Sequence, residues 1–127
     1  MTTTNAMRLA SVVTAINVLV ATGFSVAAII NPQYLVLAAA PTEGSLLLAM
    51  YAAAPRIPLV LLVLGAIYEQ ATPALLILGA LAGAMQLLDA GIGLFQRDLR
   101  KCAGPLVLAV LQFFVVYLLH ISVRTAP

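Results

Sequence analysis

The sequence predicts an all-α fold, an integral membrane four-helix bundle, and two observations support this prediction. Apolar residue types make up 64% of the 127 residues and charged types only 8%, which lies well outside the composition of a soluble domain. The apolar residues also form four stretches, each close to the about 20 residues that a helix needs to cross the bilayer. Because so small a chain cannot bury this surface within itself, we expect lipid to cover it.

These stretches predict a single transmembrane domain that comprises residues 1–127. The predicted spans cover residues 7–30, 44–68, 72–95 and 105–123. Thr72 is expected to cap the third helix, with Pro73 in its first turn. The connection 31–43 is looser, and we expect its apolar run at 34–37 to lie in the membrane interface.

The second span has an unusual centre, where Arg56 stands between Pro55 and Pro58. Each proline removes a backbone donor and crowds the preceding turn, so we expect the helix to kink or break here. An alternative makes residues 44–54 an interfacial helix and lets Arg56 extend to the head groups. That alternative leaves only about 12 apolar residues for the span, too few for a crossing.

The third span places polar and small residues on one stripe. Gly79, Gly83, Gln86, Asp89 and Gly93 follow one another at helical spacing, so they share a face. Glycines four apart let another backbone approach closely. The stripe is therefore either a packing seam, with Gln86 and Asp89 joining helices by hydrogen bonds, or the wall of a polar pocket.

Arg56 and Asp89 are the two charged residues that lie away from the ends of the predicted spans, and a charge inside a membrane points to function. At about 1.5 Å of rise per residue, Arg56 lies roughly 18 Å and Asp89 roughly 10 Å from the same face. An extended arginine side chain covers about that difference, and a buried charge without a partner is costly. We therefore predict that Arg56 pairs with Asp89 inside the membrane.

The remaining polar residues of the spans give further candidates. The first helix carries a seam of small and polar residues at Thr14, Asn17, Ala21 and Ser25, which suits close helix contact. The sequence predicts Asp89 and Arg56 as catalytic residues and Gln86, Asn17, Tyr51 and Gln112 as ligand-binding residues. With one histidine, one cysteine and no acidic cluster, we expect no metal site, and no motif indicates a cofactor.

Charge distribution bears on partners and orientation. The net charge of +2 comes from six basic residues, too few and too scattered for nucleic acid, so we expect no nucleic-acid partner. The expected partners are the lipid bilayer, a lipophilic small molecule, and either a second copy of the chain or another membrane protein. Basic residues are densest in the connection at 96–102, which favours the cytoplasm for that connection and places both termini outside the cell membrane.

Three functions remain open at this point, and the sequence leaves open whether the chain is an enzyme. The first is binding of a lipophilic ligand, or service as an accessory subunit, through Arg56, Asp89 and Gln86. The second is a membrane isomerase or cyclase in which Asp89 is the acid or base and Arg56 stabilises an oxyanion. The third is a proton-coupled transporter in which Asp89 carries the proton.

One resemblance rests on the second and third spans. The run Ala53-Ala54-Pro55-Arg56, and the Gln86 and Asp89 pair followed by a short charged turn, resemble the DoxX-like and related uncharacterised four-helix membrane proteins of bacteria. The likeness covers residues 44–120. It implies a fold rather than an activity.

Overall fold

A computed structural model describes residues 2–31, 33 and 42–125, and its long elements are all α-helices. In chain order they are α1 (Thr3–Ile30), α2 (Glu43–Ala53), α3 (Arg56–Tyr68), α4 (Thr72–Phe95) and α5 (Leu99–Arg124). Because α2 and α3 together form one apolar segment, Glu43–Tyr68, the described chain contains four segments long and apolar enough to cross a membrane. The predicted all-α four-helix bundle is confirmed. The run at 34–37 lies outside the described residues.

Lipid is needed to cover this bundle. Only 28–33% of the most apolar part of each span is buried inside the protein. Large apolar side chains such as Phe24 and Leu88 are about two-thirds exposed, and a soluble protein rarely presents so much continuous apolar surface. The chain is therefore a multi-pass membrane protein.

Two helix starts differ from the prediction by more than one residue, and one cap differs. α1 begins at Thr3 rather than at Met7, with Thr2 as its cap. α5 begins at Leu99 rather than at Pro105, because the Asp98 side chain accepts hydrogen bonds from the first-turn N–H groups and so caps the helix. Arg100 and Lys101 make this first turn polar, which is why hydropathy alone placed the start later. α4 begins at Thr72 itself, with Ala71 in the capping position and no side-chain cap, so the assignment of Thr72 as the cap was wrong.

The closest helix pair is α4 and α5, and glycines of the α4 stripe lie between them. A Cβ on Gly79 would come within 2.9 Å of Val116, and one on Gly83 within 3.2 Å of Gln112. A Cβ on Gly93 would meet the α5 backbone at 2.6 Å. The predicted close approach at this stripe is confirmed, and α5 is the helix that approaches.

The helices form a ring that is closed in one half and open in the other. In the closed half, α1, α3, α4 and α5 are each in contact with their neighbours in the ring. In the other half α2 packs on α1, through the small buried residues Ser45, Ala49 and Ala53. Within the described residues, no Cα of α2 comes within 8 Å of one in α4. We call this gap between α2 and α4 the lateral opening.

The chain is interrupted between α2 and α3, although Ala54 and Pro55 keep helical backbone angles. α2 ends at Ala53, a two-residue turn at Ala54 and Pro55 follows, and α3 begins at Arg56. The break lies where the two prolines predicted it, because neither ring nitrogen donates to the preceding turn. α3 packs on α4 while α2 does not, and Arg56 is the first residue of α3 after the interruption.

Candidate functional site

The site is centred on the side chain of Arg56, which points inward to α1 and α4. One guanidinium nitrogen donates to the Asp89 carboxylate of α4, and the other donates to Ser25 Oγ of α1. Thr22 Oγ1 also donates to the Arg56 carbonyl oxygen at 3.3 Å. The predicted ion pair is confirmed. The alternative in which Arg56 extends outward to the head groups is wrong, because its side chain is only 13% exposed and is bound on two sides.

Ser25 also binds Arg56, a role that the sequence did not predict for it. Its hydroxyl donates to the Ala21 carbonyl at 2.9 Å, one turn earlier in α1, so its oxygen is free to accept from the guanidinium. The seam in α1 predicted close contact with a neighbour but not which one. The depth of Ser25 in the membrane could have identified it. Ser25 lies five residues from the end of α1, and Asp89 lies at a similar depth, six residues from the end of α4.

A separate chain of side-chain hydrogen bonds lies in the middle of the bundle. Gln86 Nε2 donates to Asn17 Oδ1 at 2.6 Å, and Asn17 Nδ2 donates to Gln112 Oε1 at 3.0 Å. Gln112 Nε2 then donates to Thr14 Oγ1 at 2.8 Å. All four side chains are buried. They join α4, α1 and α5, and such interhelical bonds fix the helices relative to one another.

A small cavity separates the ion pair from the amide chain. Its volume is about 10 Å³, close to what one water molecule requires. Its polar lining comes from Asn17, Thr22, Arg56, Gln86 and Asp89, and its apolar lining from Val18, Ala21, Leu59, Ala82 and Met85. We call this cavity the notch. It lies between α1, α3 and α4, and most of its surface is apolar.

The Asp89 carboxylate is only partly covered. Its side chain is 31% exposed, against 13% for Arg56. Among the described residues its partner is Arg56, through Oδ2, and Oδ1 accepts no hydrogen bond. The site therefore contains an ion pair with no net charge and a carboxylate oxygen, Asp89 Oδ1, that can accept a further hydrogen bond.

The structure brings together most of the predicted site residues. Asp89, Arg56, Gln86 and Asn17 all line the notch, and Gln112 is connected to it through Asn17. Tyr51 is not part of this group, because it lies on α2 with its side chain 70% exposed and does not line the notch. The catalytic and ligand-binding roles assigned to these residues stay predictions.

A second depression lies at the opposite end of the bundle. It is open and measures about 440 Å³, with a lining of Thr3, Thr4, Met7, Arg8, Gln70 and Thr72. None of the predicted site residues is among them. The notch is therefore the candidate functional site.

Comparison with known proteins identifies no relative. The chain matches no protein-family model, no curated protein and no solved structure. The resemblance to DoxX-like proteins stays a prediction, and the function must be argued from the site itself.

Proposed function

We propose that this protein binds a lipophilic molecule within the cell membrane and holds its polar head at the Arg56–Asp89 pair. The observation that carries the proposal is the partly exposed carboxylate of Asp89, which belongs to α4, one of the two helices that border the lateral opening. A charged group left at a lipid-facing edge is costly, and charged residues inside membranes mark sites of function. A bound polar head would cover the carboxylate.

The architecture around the pair also supports a binding role. In secondary transporters, substrates commonly bind near the bilayer midplane, at helices that are broken there. Here Arg56 begins α3 directly after the break, and α2 leaves the site uncovered on the side of α4. The volume of the notch, about 10 Å³, is far below the roughly 300–1,000 Å³ of a pocket that encloses a whole ligand. We infer that the notch takes only the head and that the tail lies among lipid tails at the lateral opening.

The proposal also includes the expected orientation, with both termini outside the cell. The accessory-subunit form of the proposal shares the same surface, because a helix of a partner protein at the lateral opening would cover Asp89 as well. No contact in the described structure specifically favours the isomerase, cyclase or transporter alternatives, which stay predictions.

Recovery of a bound molecule tests the proposal. The protein is extracted in polymer-bounded native membrane discs, and the lipophilic molecules that accompany it are identified by mass spectrometry. We expect at least one molecule to be enriched over the bulk membrane in the wild type and depleted in Asp89→Asn, because that substitution removes the charge that holds Arg56.

Glu69→Gln provides the matched control. It also removes one carboxylate, but Glu69 is exposed in the turn between α3 and α4, and we expect its enrichment to equal that of the wild type. Equal lipid content in the wild type, both variants and the bulk membrane would contradict lipophilic-ligand binding. Enrichment of one membrane protein instead of a lipid would favour the accessory-subunit form.

A further inference from the structure

We infer that the head group bound in the notch is an uncharged hydroxyl, so that the ligand is a lipophilic alcohol or phenol. This inference rests on the proposed function and narrows it to a chemical class. Three independent features of the site lead to it: the volume of the notch, the cancellation of charge within it, and the hydrogen-bonding capacity that its residues leave unused.

Volume limits the head group to about the size of water. The notch measures about 10 Å³, and a single water requires roughly 10–15 Å³ by the same measure. A hydroxyl oxygen fits that space. A carboxylate, a phosphate or a trimethylammonium group does not fit unless the helices separate, and the buried hydrogen bonds from Gln86 through Asn17 to Gln112 oppose such separation.

Charge excludes the small ions that would fit by size. The charges of Arg56 and Asp89 already cancel across a direct contact. A primary ammonium has nearly the volume of a hydroxyl, but it would add a positive charge with no counter-charge in an apolar setting. Burying such a charge is far more costly than burying a hydrogen-bonded hydroxyl.

The unused hydrogen-bonding groups match a hydroxyl in kind, since they include both an acceptor and a donor. Within the described structure, Asp89 is bonded through Oδ2 and Arg56 through its two terminal nitrogens, to Asp89 and Ser25. Asp89 Oδ1 accepts no hydrogen bond there, and Arg56 Nε donates none. A hydroxyl donates one proton and accepts at its oxygen. It can therefore donate to the carboxylate and accept from the guanidinium, which a methyl ether cannot do.

Binding of four matched probes tests the inference. The probes share a sixteen-carbon chain and differ only at the head: 1-hexadecanol, hexadecyl methyl ether, palmitate and hexadecylamine. Radiolabelled probes are titrated into lipid nanodiscs that contain the protein, and binding to empty nanodiscs is subtracted. We expect saturable binding of 1-hexadecanol with an affinity at least tenfold higher than that of each other probe.

A cavity-filling variant locates this binding without changing any charge. Ala21 lines the notch, so Ala21→Val places two methyl groups at the space for the hydroxyl and should reduce 1-hexadecanol binding at least tenfold. Ala103→Val makes the same change on an exposed position of α5 and should leave binding unchanged. Equal effects of the two variants would overturn the assignment of binding to the notch.

The probe experiment distinguishes a wrong hydroxyl assignment from a failure of lipophilic-ligand binding itself. Tighter saturable binding of palmitate or hexadecylamine, or equal binding of all four probes, would overturn the hydroxyl assignment and leave lipophilic-ligand binding standing. Absence of saturable binding for every probe would overturn both.

Discussion

At the residue scale, the energetics of the site depend on the contact between Arg56 and Asp89. Either charge alone inside the bundle would lack compensation, and removing one partner of a buried pair is usually worse than removing both. Ser25 adds a second anchor for the guanidinium. The two contacts hold Arg56 between α1 and α4, at the start of α3.

A double-mutant cycle measures the coupling within the pair. We expect Arg56→Gln and Asp89→Asn each to lower the free energy of unfolding by about 2–4 kcal/mol, somewhat less than a fully buried pair because the carboxylate is partly exposed. The double variant should lose less than the sum of the two. Reversible unfolding in mixed micelles supplies the measurement, and strictly additive losses would show that the two residues are not coupled.

The amide chain gives a second residue-scale prediction. Asn17 both accepts from Gln86 and donates to Gln112, whereas Thr14 only accepts from Gln112. We expect Asn17→Leu to cost about 1–3 kcal/mol and Thr14→Val about 0.6 kcal/mol, since an interhelical hydrogen bond in a membrane averages about 0.6 kcal/mol. The same unfolding assay tests the order. A larger loss for Thr14→Val than for Asn17→Leu would contradict the central position of Asn17 in the chain.

At the scale of the elements, the close packing of α4 on α5 depends on a glycine at the point where the two backbones meet. A Cβ on Gly93 would lie 2.6 Å from the backbone at Lys101 and Cys102. We expect Gly93→Ala to lower stability by about 1–3 kcal/mol, as overpacking does. Gly91, two residues earlier, has open space around it.

Gly91→Ala is therefore the matched control for this prediction. It makes the same chemical change in the same helix, and we expect no loss or a gain of up to about 1 kcal/mol from better helix propensity. Unfolding of the two variants under identical conditions tests the contact. Equal stability of Gly91→Ala and Gly93→Ala would mean that α4 and α5 are not in backbone contact at Gly93.

At the scale of the whole molecule, the sequence predicts the number of spans and the position of the break. It predicts less well which face of each helix packs against a neighbour. Hydropathy locates four spans because lipid demands long apolar runs, and two prolines locate the break because they lack a donor. Depth alone predicted the contact of Arg56 with Asp89. The position of Tyr51 outside the notch could not be foreseen, because α2 is apolar on nearly all sides and its sequence does not show which side packs. The pairing of Asn17 with Gln112 depends on how α1 and α5 pack, which neither helix encodes alone.

The topology of the four spans predicts which connections share a side of the membrane. We expect that a cysteine at Thr4 is labelled by a membrane-impermeant maleimide in intact cells, and that one at Gln96 is labelled only after permeabilisation. Both substitutions, Thr4→Cys and Gln96→Cys, are made in a Cys102→Ser background. The reverse pattern would overturn the orientation with both termini outside. Labelling of both positions in intact cells would contradict the three crossings between them.

The most direct test is a measurement of the contact between the Arg56 guanidinium and the Asp89 carboxylate, made on the protein in a bilayer. Solid-state NMR with ¹⁵N-labelled arginine and ¹³C-labelled aspartate measures it, because Asp98, the other aspartate, bonds to Lys101 and to backbone N–H groups instead. We predict one short contact between a guanidinium and a carboxylate in the wild type that disappears in Arg56→Gln. No such contact in the wild type, or one that persists unchanged in Arg56→Gln, would contradict the account.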